Sequence, residues 1–340
     1  MLFFTGDINL TDWDFNFGFG IGSRIGQGFN PFLKIERTKT DLWVGNFEGV
    51  ASDATEKEGM ASKVFRVTPG SLKSLSHFNI YGFANNHAMQ HGKEAYRQTV
   101  KSLESYGCKV FGENDNRSIV IEHQGKKVSL TGCCLRVDEF TDNPSYWYNP
   151  EYCEITKEIE KLPVDAYKVL FVHWGNEYIN RPSSQQKRFA HWLIDAGFDL
   201  IIGMHPHVLQ GYEDYKGRRI YYSLGNFVFD MAWEPCRYGA IVGVDLSGEK
   251  PRFHTEYVYI DETCAPRVVP ESEVPDKYCF DFLNKQLYIE ENSEQYHSEI
   301  NRQYKDYSKA NRKYVLGNIL RHPGFGVNVV RDFIRRRIVR

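Results

Sequence analysis

The sequence predicts an α/β protein built from two facing sheets that are flanked by helices. Short apolar, β-prone runs alternate with amphipathic helical segments from Leu2 to Ile202, a pattern typical of strand–helix–strand units. After Tyr221 the alternation gives way to consecutive strands, which indicates a second sheet. Several strands end in polar side chains, and sites in sheet proteins are assembled from such strand ends. We therefore expect the polar strand ends to converge at one edge of the molecule.

The first elements are predicted from apolar runs that stop at Gly or Asn. Strands are expected at residues 1–5, 41–49, 78–83 and 109–111, followed by a hairpin at 118–122 and 127–131. A helix over residues 93–106 has its apolar residues on one face and ends at Gly107. The Gly- and Phe-rich segment 15–29 is expected to be an irregular loop, either over the site or simply on the surface. Residues 31–39 are expected to form one short helix.

The second half of the chain repeats the alternation before it changes. Helices are expected at 151–161 and from Ser183, which forms a capping box with Gln186, to Gly197. Strands are expected at residues 168–172, 200–202, 221–229, 240–246 and 252–260. The polar stretch 278–314 is compatible with long helices and is expected to pack as a helical extension.

The domain division follows a change in composition after Pro270. We expect a first domain over residues 1–265 and a helical extension over 275–340. The last stretch, 327–340, has the pattern of a basic amphipathic helix, which can lie on an anionic membrane or dock on a partner. The alternative is a helix that packs on its own domain and leaves its arginines in solvent.

Composition and charge bound the class of protein. With 340 residues and a net charge of −2, the overall charge favours neither nucleic acid nor membrane, and we expect no nucleic-acid partner. The seven cysteines include no C-x-x-C pair, which favours reduced thiols over a disulfide framework. No stretch is long and apolar enough to span a membrane, and the N-terminus lacks the features of a secretory signal. We therefore expect a cytoplasmic protein, peripheral at the inner membrane if its tail binds lipid.

Five predicted strands end in side chains that can bind a metal ion. They are Asp7 with Asn9, Asn46 with Glu48, Asn85 with Asn86 and His87, His173, and His205 with His207. In an extended segment, residues two apart point to the same side, so the imidazoles on either side of Pro206 are expected to face one point. Each residue taken alone has another explanation, because Asp and Asn cap turns and His is often structural. Their joint occurrence favours a site for Zn, Mn or Fe, since the set is too rich in nitrogen for Ca or Mg.

The same stretches match a known family in type and in order. They are Gly6-Asp7, Asn46-Phe47-Glu48, Ala84-Asn85-Asn86-His87, Val172-His173-Trp174-Gly175 with Glu177, His205-Pro206-His207 after Gly203, and Tyr222 to Phe227. On these motifs the chain resembles the CapA family of bacterial capsule and poly-γ-glutamate synthesis proteins, within the calcineurin-like metallophosphoesterase superfamily. The region after Pro270 lies outside the resemblance.

The resemblance implies a four-layer α/β/β/α sandwich with a centre for two divalent transition metal ions, of Mn, Fe or Zn. The expected metal ligands are Asp7, Asn9, Glu48, Asn86, His173, His205 and His207. His87 is expected to act as the general acid, with Asn85 beside it as a second catalytic residue. Substrate contacts are expected from Asn46, Trp174, Glu177 and Asn226.

This chain departs from the superfamily pattern at three positions. Asn9 stands where the first motif has a histidine, and Glu48 is one methylene longer than the usual bridging acid. Both changes weaken donation to one metal, so a single bound ion is an alternative to two. Gln90 stands where the family usually carries Asp, three residues after His87.

Three functions are compatible with these features. The first is a metal-dependent hydrolase or transferase that acts on a phosphoester or amide bond during synthesis of capsule or another extracellular polymer, with a small-molecule, polymer or peptide substrate. The second is a metal-independent acid–base enzyme, such as an epimerase, that acts on a peptide-like substrate. The third is a non-enzymatic accessory subunit whose partner is the capsule-synthesis machinery, either a polymer synthase or an export complex.

Overall fold

The strands and helices are defined by the computed structural model, which describes residues 1–13, 16–289 and 293–327. The strands are β1 (Leu2–Ile8), β2 (Leu42–Phe47), β3 (Val50–Ala51), β4 (Arg66–Val67), β5 (Ile80–Gly82), β6 (Lys109–Phe111), β7 (Ser118–His123), β8 (Lys126–Cys134), β9 (Tyr167–His173), β10 (Leu200–Met204), β11 (Leu209–Tyr215), β12 (Arg218–Leu224), β13 (Asn226–Val228), β14 (Tyr238–Asp245), β15 (Arg252–Ile260) and β16 (Pro266–Val269). The α-helices are α1 (Ile21–Gly26), α2 (Lys93–Ser105), α3 (Tyr152–Lys161), α4 (Ser184–Ala196), α5 (Phe280–Gln286) and α6 (Ser293–Arg321).

Except for β3 and β4, which pair with each other, these strands form two large sheets with parallel centres. The first sheet has the order β16-β15-β14-β1-β2-β5-β6, with β13 also paired to β1, and the second has the order β11-β12-β10-β9-β8-β7. In the first sheet β1, β2, β5 and β6 are parallel, and in the second β8, β9, β10 and β12 are parallel. Because the carboxyl ends of parallel strands share one edge of a sheet, the loops that follow these strands are brought together.

The two sheets face each other across a hydrophobic core, and helices cover their outer faces. Phe4 and Val44 of the first sheet pack in one cluster with Val169 and Ile202 of the second. α2 packs its apolar face on the outside of the first sheet, and α3 and α4 pack on the outside of the second. The predicted α/β/β/α sandwich is therefore confirmed.

Gly225 divides what the sequence predicted as one strand over 221–229. Its φ of +65° favours glycine, and an added Cβ would lie 2.7 Å from the carbonyl oxygen of Tyr238. β12 ends before Gly225 in the second sheet, and β13 begins after it in the first, where Asn226 pairs with Asp7. The single-strand prediction was wrong because the apolar pattern continues through the point where the chain changes sheets.

Other predicted elements also differ from the structure. The segment 15–29, expected to be irregular, contains α1, because two isoleucines four residues apart lie on one buried face. Residues 31–39, expected to be helical, form turns and irregular backbone. β11 was not predicted at all.

The C-terminal helices pack on the rest of the chain, as expected for a helical extension. α5 lies on β11, and α6 crosses the loop that follows β9. On that loop Arg181 forms an ion pair with Glu299 at 2.6 Å, and the ring of Tyr178 stacks on Tyr307 with 4.0 Å between centroids. The proposed domain boundary between residues 265 and 275 stays a prediction.

The predicted membrane contact and the predicted reduced thiols concern the C-terminal tail and the cysteines. The basic tail predicted at 327–340 lies, except for Val327, outside those residues, so its membrane or partner contact stays a prediction. In the described part of the chain, no helix combines the length and the hydropathy that crossing a bilayer requires. All seven cysteines are free thiols, and Cys133 and Cys134 are buried in β8, as expected for small apolar strand residues.

Candidate metal centre

The polar ends of β1, β2, β5, β9 and β10 meet at one edge of the sandwich. Asp7 lies between two neighbours in register, Asn46 on β2 and Asn226 on β13. Across the gap between the sheets, Asp7 Oδ2 lies 3.6 Å from His207 Nδ1. The predicted convergence of polar strand ends is confirmed.

Two groups of three side chains place metal-binding atoms close together. The first group is Asp7, Glu48 and His173, and the second is Glu177, His205 and His207. Within each group the ligand atoms all lie within 4.8 Å of one another. A mixture of carboxylate oxygens and imidazole nitrogens suits Zn, Mn or Fe. Glu177 was expected to contact substrate, and its position adds a third carboxylate to the side chains that can bind metal.

Glu48 and His205 carry buried atoms that the protein itself leaves unpaired. Among the described residues, neither carboxylate oxygen of Glu48 has a hydrogen-bond partner, and neither does His205 Nε2. The Nε2 atoms of His87 and His207 each lie 3.7 Å from Glu48 Oε1, beyond hydrogen-bond distance. Because buried polar atoms are nearly always paired in folded proteins, these free donor atoms fit a metal ion.

Burial sets the charge of this centre. Burial, with the nearby carboxylates of Asp7 and Glu177, raises the pKa of Glu48 well above its usual value, and burial also raises the pKa of Asp7. The same desolvation lowers the pKa of His173 and of His205 well below the usual range. Both imidazoles are therefore neutral at neutral pH, which is the form that binds a metal.

Asp7 is held by two hydrogen bonds, one to each of its carboxylate oxygens. Its Oδ1 accepts from Asn46 Nδ2 at 2.7 Å, and its Oδ2 accepts from the backbone N–H of His205 at 3.1 Å. Asn46 in turn accepts from Asn85 Nδ2 at 3.2 Å. Asn46 was expected to contact substrate, and Asn85 was expected to be catalytic. In the structure their side-chain amides form a buried hydrogen-bonded pair that orients Asp7.

His205 and His207 converge through a left-handed turn. Their φ angles are +94° and +59°, so the extended segment predicted around Pro206 is wrong. Non-glycine residues in this region carry strain, which persists only when neighbouring groups hold it. At His205 the hydrogen bond from its backbone N–H to Asp7 stabilises this conformation. The same bond links the turn directly to the ligand groups.

Asn226 orients the ring of His207. Asn226 Nδ2 donates to the carbonyl oxygen of Cys236 at 3.1 Å, which leaves Oδ1 as the acceptor facing His207 Nδ1 at 2.9 Å. His207 Nδ1 therefore carries the proton, and its Nε2 presents a lone pair toward Glu48. A hydrogen bond of this kind to the far nitrogen is what orients metal-binding histidines.

His87 lies at the rim of the centre, in contact with Phe65. Its ring is parallel to that of Phe65 with 3.6 Å between centroids, and its Nδ1 lies 2.7 Å from Gln90 Oε1. Gln90 therefore orients His87 although it replaces the acid usual in the family. Burial lowers the pKa of His87 to about 3. The nearby His91 bonds to Val64 and Thr55 and belongs to the loop structure.

The remaining predicted residues have other contacts. Asn86 Oδ1 lies 2.8 Å from His173 Nε2, beside the first group. The side-chain oxygen of Asn9 accepts from the backbone N–H and the hydroxyl of Thr11, and its Nδ2 donates to the backbone carbonyl of Glu48. Trp174 is 2% exposed and donates its indole N–H to a backbone carbonyl, so it is held rigidly in the second sheet.

Two residues near the centre were missed by the sequence analysis. Tyr304 of α6 donates its hydroxyl to Glu177 Oε2 at 3.3 Å, a contact across 127 residues that no local pattern reveals. Arg136 follows β8, and its charge contributes to lowering the pKa of His173 and of His205. The signal for Arg136 was present, because β8 is an apolar strand that also ends in a polar side chain.

Replacement of Glu48 by Gln is expected to stabilise the metal-free protein at neutral pH by roughly 1–3 kcal/mol. A carboxyl whose pKa is raised on folding contributes fully below its usual pKa, about 4, and loses that contribution as the pH rises through the raised value. The gain of Glu48→Gln should therefore appear above about pH 4 and vanish below it. Urea unfolding in chelator at several pH values measures this, and a gain that does not change with pH would contradict it.

The chain matches a family model and several known proteins. The model described as bacterial capsule synthesis protein PGA_cap covers residues 1–231. The capsule biosynthesis protein CapA of Bacillus anthracis is 35% identical over 241 residues, covering 64% of this chain and 56% of that protein. The PGA biosynthesis protein CapA of Bacillus subtilis (strain 168) is 32% identical over 224 residues, covering 61% and 58%.

A solved structure described as a novel phosphatase from Mycoplasma pneumoniae aligns with 76% of this chain and 92% of its own, at 12% identity and a TM-score of 0.44. The chain spans little more than half the length of the two CapA relatives. The family model covers well over half of the chain and includes every residue of the two ligand groups. On this match the chain belongs to the bacterial capsule synthesis protein PGA_cap family.

Proposed function

We propose that this protein is a metal-dependent hydrolase that cleaves a phosphoester or amide bond during synthesis of a capsule or another extracellular polymer. The observation that carries the proposal is the set of buried, unpaired donor atoms on Glu48 and His205, within two groups of ligand-capable side chains. The names of the CapA relatives support the process, and the reaction itself is inferred from the site.

The six side chains of the two groups would hold one or two divalent ions of Mn, Fe or Zn. When bound, such an ion supplies Lewis acidity and lowers the pKa of water toward neutrality. Asp7 is presented with a fixed orientation because Asn46 and the His205 backbone hold its two oxygens. We assign Asn9 a positioning role, since its amide holds the backbone of Glu48.

His87 is the proton-transfer residue of this proposal. Its low pKa keeps the imidazole neutral at neutral pH, so it would take a proton from the attacking water and pass that proton to the leaving group. Gln90 holds Nδ1 and Phe65 covers one ring face, which directs Nε2 toward Glu48. The ring position is therefore set by packing and by one hydrogen bond.

The proposal is tested by elemental analysis of protein purified without added metal or chelator. We expect one to two equivalents of a transition metal, and loss of phosphoester hydrolysis on chelation with recovery on addition of Mn, Fe or Zn. A protein that binds none of these ions and whose activity is indifferent to chelator would refute the proposal and favour the metal-independent acid–base enzyme.

One observation favours the accessory-subunit function as a second candidate. Leu316 and Leu320 lie one turn apart on α6 and are 63% and 82% exposed. Large exposed apolar residues on one helix face are typical of contact surfaces. If a variant that binds no metal still supports polymer synthesis in cells, the accessory function is favoured over the hydrolase.

A further inference from the structure

A cavity lies beside the chain segment that joins two candidate metal ligands, since its lining includes Trp174, Gly175 and Asn176, between His173 and Glu177. Its volume is about 390 Å³, and it lies between the loop after β8, the loop after β9 and the start of α4. Its polar lining includes Arg136, Asn149, Asn176, Ser183 and Gln186. A backbone hydrogen bond joins this lining to the metal centre: the N–H of Leu135 donates to the carbonyl oxygen of His173 at 2.9 Å.

Arg136 brings a positive charge into this cavity that the protein does not neutralise. Its Nε is buried without a hydrogen-bond acceptor, and none of the described carboxylates forms an ion pair with its guanidinium. Arg181, Arg219 and Arg252, by contrast, each bond to a carboxylate. Among the described residues that line the cavity, Arg136 is the only charged one. The cavity therefore favours an anion.

Gln186 provides a second group without a partner. Ser183 accepts the backbone N–H of Gln186 at 3.1 Å, but the reciprocal half of the predicted capping box is absent among the described contacts. Gln186 is 8% exposed, and among the described residues neither its amide oxygen nor its amide nitrogen has a hydrogen-bond partner. The amide lies against Gly175, where an added Cβ would be 3.1 Å from Oε1.

Acidic residues on the surrounding elements are already engaged. Asp138, two residues from Arg136, accepts from the hydroxyl of Tyr146 at 2.8 Å and from two backbone N–H groups. Glu151 takes part in the capping box of α3 with Glu154, and Glu177 accepts from Tyr304 on the metal side. The first turn of α4 carries no acidic residue, so the partial positive charge of its N-terminus adds to that of Arg136. A ligand that binds both Arg136 and Gln186 would offset the free-energy cost of leaving their polar atoms unpaired.

We propose that this cavity binds an anionic group of the substrate, with its carboxylate or phosphate oxygens on Arg136 and a neighbouring polar atom on the Gln186 amide, while the scissile bond lies at the metal centre. The forked guanidinium matches the oxygens of either anion. The volume accommodates an organic group larger than a bare ion. The inference rests on the proposed hydrolase function, because it assigns the substrate a second point of attachment beside that centre.

The test uses calorimetric titration of the full chain with two probes, glutarate and inorganic phosphate, in chelator and again after metal loading. We expect at least one probe to bind, and Arg136→Gln to weaken that binding by roughly ten- to a hundredfold. Arg136→Lys should recover part of the affinity, because it restores the charge without the fork. Arg252→Gln is the matched control, since Arg252 is exposed and is bonded to Asp245, its partner in the β14–β15 pair, and does not line the cavity.

Gln186→Leu separates a ligand-binding amide from a structural one. Removal of an unpaired buried amide should weaken probe binding without lowering the melting temperature. A lower melting temperature would show that Gln186 is structural and overturn its part in the site. Equal probe affinity in Arg136→Gln and the unaltered protein, or no binding of either probe, would overturn the anion site.

The two probes and the two metal states separate the possible explanations. Glutarate binding identifies a carboxylate, and phosphate binding identifies a phosphate group. Metal content is measured on the same samples. Arg136-dependent binding in a protein that takes up no metal would refute the proposed hydrolase and support the anion site. Metal uptake without anion binding would refute the anion site and leave the proposed hydrolase standing.

Discussion

Replacement of His87 by Asn is expected to lower turnover of a substrate with a poor leaving group by about a hundred- to ten-thousand-fold, the usual contribution of a positioned proton donor. The imidazole is held by Gln90 and Phe65 at the rim of the centre, outside both groups of ligand-capable side chains. Its removal should therefore leave the metal content close to that of the unaltered protein. Parallel assays with an alkyl and a nitrophenyl phosphoester measure the effect.

The leaving group provides the decisive comparison for His87. A nitrophenolate departs without protonation, so its ester should lose much less rate than the alkyl ester. The control is His91→Asn, the same substitution four residues away, where the ring bonds to Val64 and Thr55 in a loop. That variant should change stability and leave the ratio of the two rates unchanged. Equal losses on both esters, or loss of metal, would mean that His87 binds metal and does not transfer a proton.

Replacement of His205 by Ala is expected to remove most of the bound metal. Even substitutions outside the ligand shell cost about ten- to a hundredfold in metal affinity, and a direct ligand should cost at least as much. His205 Nε2 is buried without another partner in the described part of the chain, and it lies in the group that contains Glu177 and His207. Competition with a chromogenic chelator measures the affinity.

The backbone at His205 requires a second variant. Its φ of +94° is unfavourable for alanine, so His205→Asn, which tolerates positive φ better, guards against misfolding as the cause of metal loss. The control is His191→Asn, because His191 lies 2.7 Å from Glu213 and stacks on Tyr215 away from the centre. Full metal occupancy in both His205 variants would show that the ligand assignment is mistaken.

The elements that follow from periodicity were largely predictable. α2 and α4 have apolar residues at helical spacing and glycines just past their ends, and β6 and β15 have the predicted bounds. The polar strand ends were predictable for the same reason, since each follows a recognisable apolar run. The edge at which they meet follows from parallel pairing. Local sequence therefore indicated two facing sheets flanked by helices and most of the ligand-capable residues, and the family resemblance implied the four-layer sandwich.

The tertiary structure decided which of these side chains face each other and which are engaged elsewhere. The Asn9 side chain accepts a hydrogen bond from Thr11, and Glu177 lies in one group of ligand-capable side chains with His205 and His207. The left-handed conformation of that turn is stabilised by a hydrogen bond to Asp7, almost 200 residues earlier in the chain. Spacing along the chain reports only the period of an element. Hydrogen-bond partners, left-handed turns and the change of sheet at Gly225 depend on groups that folding brings from distant segments, and so only the folded chain determines them.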